Sequence, residues 1–186
     1  MRRNCMIALF VVLGIIVLIA LWGVGVYNGF IKQHEMVDNA MAQIAAQVES
    51  RWDALSNLMQ ATKNYQSHEA ETLTQIVKAR SGIDRHSSVQ DVVKDDQAFQ
   101  KALRSIDVVV EQYPDLKASQ VYQTTMDSVN QYENNVRQSR MIFNDTVTRF
   151  NRMIKVFPQS IIAGMTGFQA EEYFKASPEK TEMPQW

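Results

Sequence analysis

Residues 5–26 read CMIALFVVLGIIVLIALWGVGV, 22 consecutive positions without a charge or a strongly polar side chain. As a helix such a run extends about 33 Å, enough to cross a hydrocarbon core of roughly 30 Å. Signal peptides also begin with basic residues and an apolar stretch, but that stretch is usually roughly 7–15 residues and closes on a small-x-small triplet. Here the run is longer and leaves through Trp22, Val24 and Val26. The only cysteine, Cys5, precedes the run instead of following it, so a lipoprotein modification does not fit. Residues 5–26 are therefore expected to remain as a single-pass transmembrane helix behind a short cytoplasmic stretch, residues 1–4. Arg2 and Arg3 flank one end, whereas Lys32 and Glu35 are the first charges at the other. The positive-inside bias then puts the N-terminus in the cytoplasm and everything after Tyr27 in the periplasm or outside the cell.

Without Arg2 and Arg3, 17 of the 19 basic residues stand against 20 acidic ones, a net charge of about −3 beyond the bilayer. That balance argues against a nucleic-acid role, whose affinity depends on neutralising phosphates. A lone cysteine leaves no intramolecular disulfide, so the remaining 160 residues must be held by their own core. A chain of that length suffices for one domain.

From Phe30 to about Arg80 there is neither Pro nor Gly, and Val37, Met41, Ile44, Val48, Trp52, Leu55, Met59 and Thr62 recur in steps of three or four. Such steps mark one face of a long helix. Gly23, Gly25 and Gly29 with Asn28 are where a bend would be cheapest. SGIDRHSS, residues 81–88, reads as a loop, and Ser87 with Gln90 has capping-box spacing for a second helix that carries Val89, Val92, Val93, Phe99, Leu103, Ile106, Val109 and Val110. Pro114 stops it. A third helix begins near Lys117 or Ser119 and carries Tyr122, Met126, Val129, Tyr132, Val136, Phe143, Val147, Phe150 and Ile154 as far as Phe157, with Arg140 in the one wide gap. The long Arg140 side chain is expected to lie along the core with its charge in water. The fold class is all-α: a transmembrane helix, then an extended antiparallel bundle of three long helices. Residues 160–174 are too short and too polar to span a bilayer. They read as a short C-terminal closing helix with Ile161, Ile162, Met165 and Phe168, in which Gly164 and Gly167 allow close approach or a turn. The bundle domain is placed at residues 27–177 and a polar tail at 178–186.

No set of residues points to chemistry, and no catalytic, cofactor-binding or metal-ligating residue is assigned. His34-Glu35 and His68-Glu69 open like a zinc-protease motif, but Asp38 and Thr72 stand where the second His belongs. No Glu-x-x-His pair exists for a di-iron bundle. No serine sits in a Gly-x-Ser-x-Gly turn, and Asp84, His86 and Ser87 read as a solvated, capping loop. GMTG, residues 164–167, lacks the lysine and the strand of a phosphate loop. The acid pairs Asp95-Asp96 and Glu171-Glu172 read as solvated helix residues. Gly25 and Gly29 form a Gly-x-x-x-Gly step that would favour close helix contact.

The blocks from Tyr27 to Arg80, EQYPDLKAS at 111–119 and SRMIFNDTVTRFNRMIKVFPQSIIAGMTGFQAEEYFKAS at 139–177 resemble the bacterial LemA family in order and over nearly the whole chain. At 50–60 the family usually has two arginines and a Leu-Ile-Pro-Asn-Leu segment. This chain has SRWDALSNLMQ, with Trp52 and Ser56 in place and Asn57-Leu58 retained, so its first helix should be straighter. Asn28, Tyr113, Pro114, Asp115, Leu116, Lys117, Asn144, Asn151, Pro158, Gly167, Phe168, Tyr173 and Phe174 match the family motifs, and each has a structural explanation. The resemblance implies a helical bundle on a membrane anchor, related to magnetosome membrane proteins and without an established enzymatic activity. The function expected is a non-enzymatic scaffold or interaction protein of the bacterial envelope, and the alternative is an accessory subunit of an envelope protease or quality-control system. Its partners would be the lipid bilayer and a membrane protein or a second copy of itself, with no nucleic acid, cofactor or small-molecule substrate.

Overall fold

The computed structural model describes residues 2–62 and 82–175, and all regular structure among them is helical. Helix α1, Arg2–Thr62, is 61 residues long and passes through the glycine cluster without interruption. No proline occurs in it, so every interior amide can keep its hydrogen bond. Over its first turns the large apolar side chains, among them Met6, Phe10, Leu18 and Val24, face outward, Phe10 being 71 % exposed. A helix apolar on all sides and unburied is built for lipid, not for water. From Val26 and Phe30 onward the burial narrows to a stripe. The expected continuation to Arg80 lies outside the described residues.

Helix α2 is Val89–Gln112, and its N-cap is Ser88 with Asp91, one residue later than the Ser87 and Gln90 read from the sequence. The reason is local: the Ser87 hydroxyl donates to Asp84 Oδ1 at 3.2 Å and accepts from the Asp84 amide at 2.9 Å, which commits it to the loop. Pro114 opens a four-residue turn, α3, Pro114–Lys117, whose Leu116 is buried. Helix α4, Gln120–Lys155, follows, and α5, Gln159–Thr166, ends on Gly167 in the left-handed region at φ 78°. Gly167 thus makes the turn for which glycine is suited, whereas Gly164 faces open space.

The chain forms two compact units. One comprises Met1–Val37 and Asp145–Glu172. Its centre is the half-buried Phe168, whose ring lies 5.3 Å from Phe30, 6.0 Å from Tyr27 and 6.1 Å from Phe150. A Cβ at Gly29 would come within 2.7 Å of Met153 Cε, so glycine there admits the methionine. Gly25 meets nothing, and the Gly-x-x-x-Gly step acts through one of its two members.

The other unit comprises Asp38–Asn144 and Tyr173–Trp186. Val48, Trp52, Leu55 and Leu58 of α1, Val92, Phe99 and Ile106 of α2, and Val129, Val136 and Phe143 of α4 are buried there. Val93, expected on the core face, is exposed. Asp38 pairs with Arg85, Arg51 with Asp95, and Trp52 with Phe99. The numbers rise together, so α1 and α2 run parallel, which corrects the antiparallel arrangement expected from a short connecting loop. Helix α4 runs against both, with Asn135 on Gln47, Glu133 on Arg51, Arg140 on Asp96 and Tyr122 on Asp107.

Candidate functional site

The helical stripes of the second unit are not wholly apolar. Positions 44, 48, 51, 55 and 58 form one face of α1, and Arg51 is among them. In the same way Asp95 falls between Val92 and Phe99, and Glu133 and Arg140 fall between Val129 and Val147. Helix geometry therefore sends Arg51 and Asp95 into the core, and Glu133, Arg140 and Asp96 join them from its edge.

Arg51 is 1 % exposed and organises the cluster. Its Nη1 donates to Glu133 Oε1 at 2.7 Å, and its Nη2 donates to Asp95 Oδ2 and Asp96 Oδ1, each at 2.8 Å. Its Cζ stands 4.5 Å above the centre of the Phe99 ring, a cation–π arrangement. Burial pulls the Arg51 pKa down, but the charges of Asp96 and Glu133 and the hydrogen bonds to Asp96 and Asp95 outweigh it, and the net shift is upward. The guanidinium is cationic at any workable pH. Asp95 is fully buried and also accepts from Trp52 Nε1 at 3.1 Å. Arg140 holds the other carboxylate oxygen of Asp96 and lies 5.0 Å from the Phe174 ring.

Two arginines thus face three carboxylates, a formal charge of −1. The sequence puts Asp95 and Asp96 on a solvated face, and the structure buries the first and pairs both. A carboxylate one step further round α2 would be solvated, but Asp95 lies on the core stripe. Arg140, expected with its charge in water, is only 24 % exposed and ion-paired.

A second arrangement uses two motif asparagines. Asn144 Nδ2 donates to the Phe174 carbonyl and Asn144 Oδ1 accepts from the Phe174 amide, both at 2.9 Å. Asn151 does the same for Glu171, at 2.9 and 2.8 Å. Each primary amide replaces the partner strand that a non-helical backbone lacks. Glu171, expected in solvent, is half-buried and also meets His34 Nε2 at 3.1 Å. The residues Asp84, His86 and Ser87 form the solvated loop expected of them, with the Asp84 carboxylate accepting from the His86 amide.

Most polar groups in these arrangements are spent on protein partners, while the buried Nε of Arg51 and of Arg140 has no hydrogen-bond partner among the described residues. The donors of Arg51 Nη1 and Nη2 are committed to protein carboxylates, and the clamp amides are committed to backbone. Among the described residues no group of three His, Cys, Asp or Glu side chains is placed to hold a metal ion. The sequence reading missed both arrangements. The available signals were the charges on core stripes and the seven-residue step from Asn144 to Asn151.

Protein LemA of Metamycoplasma hominis is 27% identical over 164 residues, which cover 83% of this chain and 71% of that protein. Magnetosome protein MamQ of Magnetospirillum gryphiswaldense is 24% identical over 178 residues, covering 82% of this chain and 65% of that protein. Magnetosome protein MamQ 2 of Paramagnetospirillum magneticum is 25% identical with the same coverage. The chain therefore spans just under two thirds of the length of the MamQ proteins. The LemA family profile matches residues 40–186, which include α1 from Ala40 onward, both asparagine clamps and the whole charge cluster. With its outward-facing apolar N-terminal helix, the chain is a membrane protein that belongs to the LemA family.

Proposed function

We propose that this protein is a non-enzymatic scaffold of the bacterial envelope, which holds a helical bundle at the membrane surface for a membrane protein partner or for a second copy of itself. One observation carries the reading: the helix whose first turns are apolar and outward-facing is also the helix that supplies Arg51 and Trp52 to the bundle core. Anchor and bundle share an element, as a device for presenting a surface at a membrane requires. The charge cluster supports a structural role, since its arginines and carboxylates are paired with one another inside the bundle. No observation favours the protease-accessory reading.

The corresponding organisation is a cytoplasmic stretch at 1–4, a membrane helix at 5–26, a bundle domain at 27–177 and a polar tail at 178–186. The bundle domain would have α1, α2 and α4 as its long helices, with residues 160–174 closing one end. Arg2 and Arg3 favour a cytoplasmic N-terminus and a bundle on the far side of the inner membrane. Protease added to intact spheroplasts should then digest the part after Tyr27, and full protection until permeabilisation would reverse the orientation. Crosslinking in cells followed by extraction in mild detergent should recover the chain in a defined complex with a membrane protein or with itself. Recovery only as an uncrosslinked monomer would refute the scaffold.

A further inference from the structure

The loop between α4 and α5 and the outer face of α5 carry large apolar side chains that the protein leaves uncovered. Met165 is 80 % and Phe157 78 % exposed, and Val156 and Ile161 are exposed beside them. The same short helix turns Ala163 inward and leaves Ile162 half-buried, so the split between faces is complete within two turns. Exposed apolar residues scattered singly need no explanation, but four on one tip do.

The tip's position says what covers them. Ile162 Cδ1 lies 3.6 Å from where a Cβ on Gly23 would stand. Gly23 is inside the apolar run of α1, three residues, or about 4.5 Å, from its end at Val26. Trp22 and Tyr27, partly exposed on either side of Gly23, are the residue types that settle at the headgroup level. The last turn of α4, immediately before the tip, carries the exposed cations Arg152 and Lys155. Apolar side chains level with the edge of a membrane helix, backed by cations, match an interfacial helix, whose apolar face sinks to the headgroup–acyl boundary while its basic residues meet phosphates.

We propose that the α4–α5 tip is a second membrane contact, in which Val156, Phe157, Ile161 and Met165 enter the bilayer boundary where α1 leaves it and Arg152 and Lys155 engage anionic headgroups. The proposal rests on α1 spanning the bilayer, and it makes the bundle lean on the lipid surface at a fixed height and not only hang from a tether.

The native methionines provide the test. Full-length protein is reconstituted at one copy per nanodisc of phosphatidylcholine and phosphatidylglycerol, then exposed briefly to hydroxyl radicals generated in water. Met36, in the same unit and ten residues beyond the apolar run, is 46 % exposed, well below Met165. Lipid contact reverses their order: Met165 oxidises several-fold more slowly than Met36. Equal or faster oxidation of Met165 overturns the proposal, as does protection that occurs only in discs holding two copies, which would make a second chain the occupant. Oxidation of Leu13 and Leu18 would instead show that the anchor itself is out of the bilayer. A spin label on Phe157→Cys in a Cys5→Ser background separates lipid from protein burial. In lipid it is relaxed more by oxygen than by a water-soluble nickel chelate, and the opposite order refutes the contact.

Discussion

Replacing Arg51 by Met removes the charge at the centre of the cluster while keeping much of its apolar stem, so the effect can be assigned to electrostatics and not to a void. The three carboxylates would respond differently. Glu133 is 29 % exposed and can be hydrated, and Asp96 keeps Arg140. Asp95 is fully buried and loses a charge-assisted bond of 2.8 Å, so the loss is concentrated there. Breaking a buried ion pair from one side typically costs about 3–5 kcal/mol, a large share of the roughly 5–15 kcal/mol that holds a domain together. Asp95→Asn should cost less, because Arg51 retains two carboxylates and the amide oxygen still accepts from Trp52. In the double variant the stranded charge is gone, so it should be more stable than the two single losses added together, by about 1–3 kcal/mol.

Guanidinium unfolding of the full-length protein in a mild detergent, followed by helical circular dichroism, would measure all four corners of that cycle. The reasoning fails if Arg51→Met unfolds within about 0.5 kcal/mol of the parent, the range of an ordinary surface change, or if the two substitutions simply add. The sign of the pH dependence is also determined. A folded-state pKa raised above the ordinary arginine range gives stabilisation that is fully present below the unfolded pKa and is lost only as pH rises through the folded one. No part of that window is near neutrality, so the Arg51 contribution should be flat from mildly acidic to mildly alkaline pH.

Four further outcomes are expected. Phe168→Ala should destabilise by about 2–4 kcal/mol, toward the low side of a full core deletion because the ring is half-buried, whereas Met165→Ala should change the unfolding midpoint by under about 0.5 kcal/mol in detergent. Asn151→Leu leaves the Glu171 amide and carbonyl without their clamp and should cost about 1–3 kcal/mol, with faster hydrogen exchange at Glu171; unchanged exchange would show that the clamp is ornamental. The Ser88 hydroxyl and then the Ser88 amide lower the Asp91 pKa, so its capping contribution should be complete above the unfolded value of about 3.9 and fade as pH falls through the lower folded value. An NMR titration midpoint for Asp91 at or above that unfolded value would contradict the cap. Gly29→Leu should lower the melting temperature and Met153→Ala should restore part of the loss, since the Met153 methyl occupies the space a side chain would need.

The elements were legible because their signals are local. An uncharged run gives the anchor, and steps of three and four give α1, α2 and α4 with most of their buried residues. The errors share one cause, which is that a stripe does not say what it faces. Asp95 was read by residue type as solvated, yet it occupies the core position between Val92 and Phe99. Treating it by position and asking which cation on another stripe could meet it would have led to Arg51, the charged member of the 48–51–55 series. The direction of α2 was lost for a related reason, since periodicity fixes a helix's face but not its sense. The asparagine clamps were obscure because their partners are backbone atoms. Seven helical residues rise about 10.5 Å and three extended residues cover about 10 Å, so the steps Asn144 to Asn151 and Glu171 to Phe174 are commensurate only once the later segment is known not to be helical.

A group of five ionisable side chains gathered around a buried pair ordinarily points to catalysis, and here its composition argues for another role. A reactive site keeps a donor or a lone pair aimed at a space for substrate. In this cluster Nη1 and Nη2 of Arg51 are spent on Glu133, Asp95 and Asp96, the Phe99 ring lies against the guanidinium, and the donors left over, Nε of Arg51 and of Arg140, are themselves buried. What the arrangement can supply is register. Apolar stripes with steps of three and four look alike after each heptad, so α1, α2 and α4 could slide by about 10.5 Å and still bury leucines and valines. After such a slide Asp95 would be buried without Arg51, an error of several kcal/mol that only one alignment avoids. This predicts that replacing all five charged residues by apolar ones of similar size leaves the helix content intact but removes the single set of sharp tertiary NMR signals. Retention of one well-dispersed spectrum would show that the apolar packing alone selects the alignment.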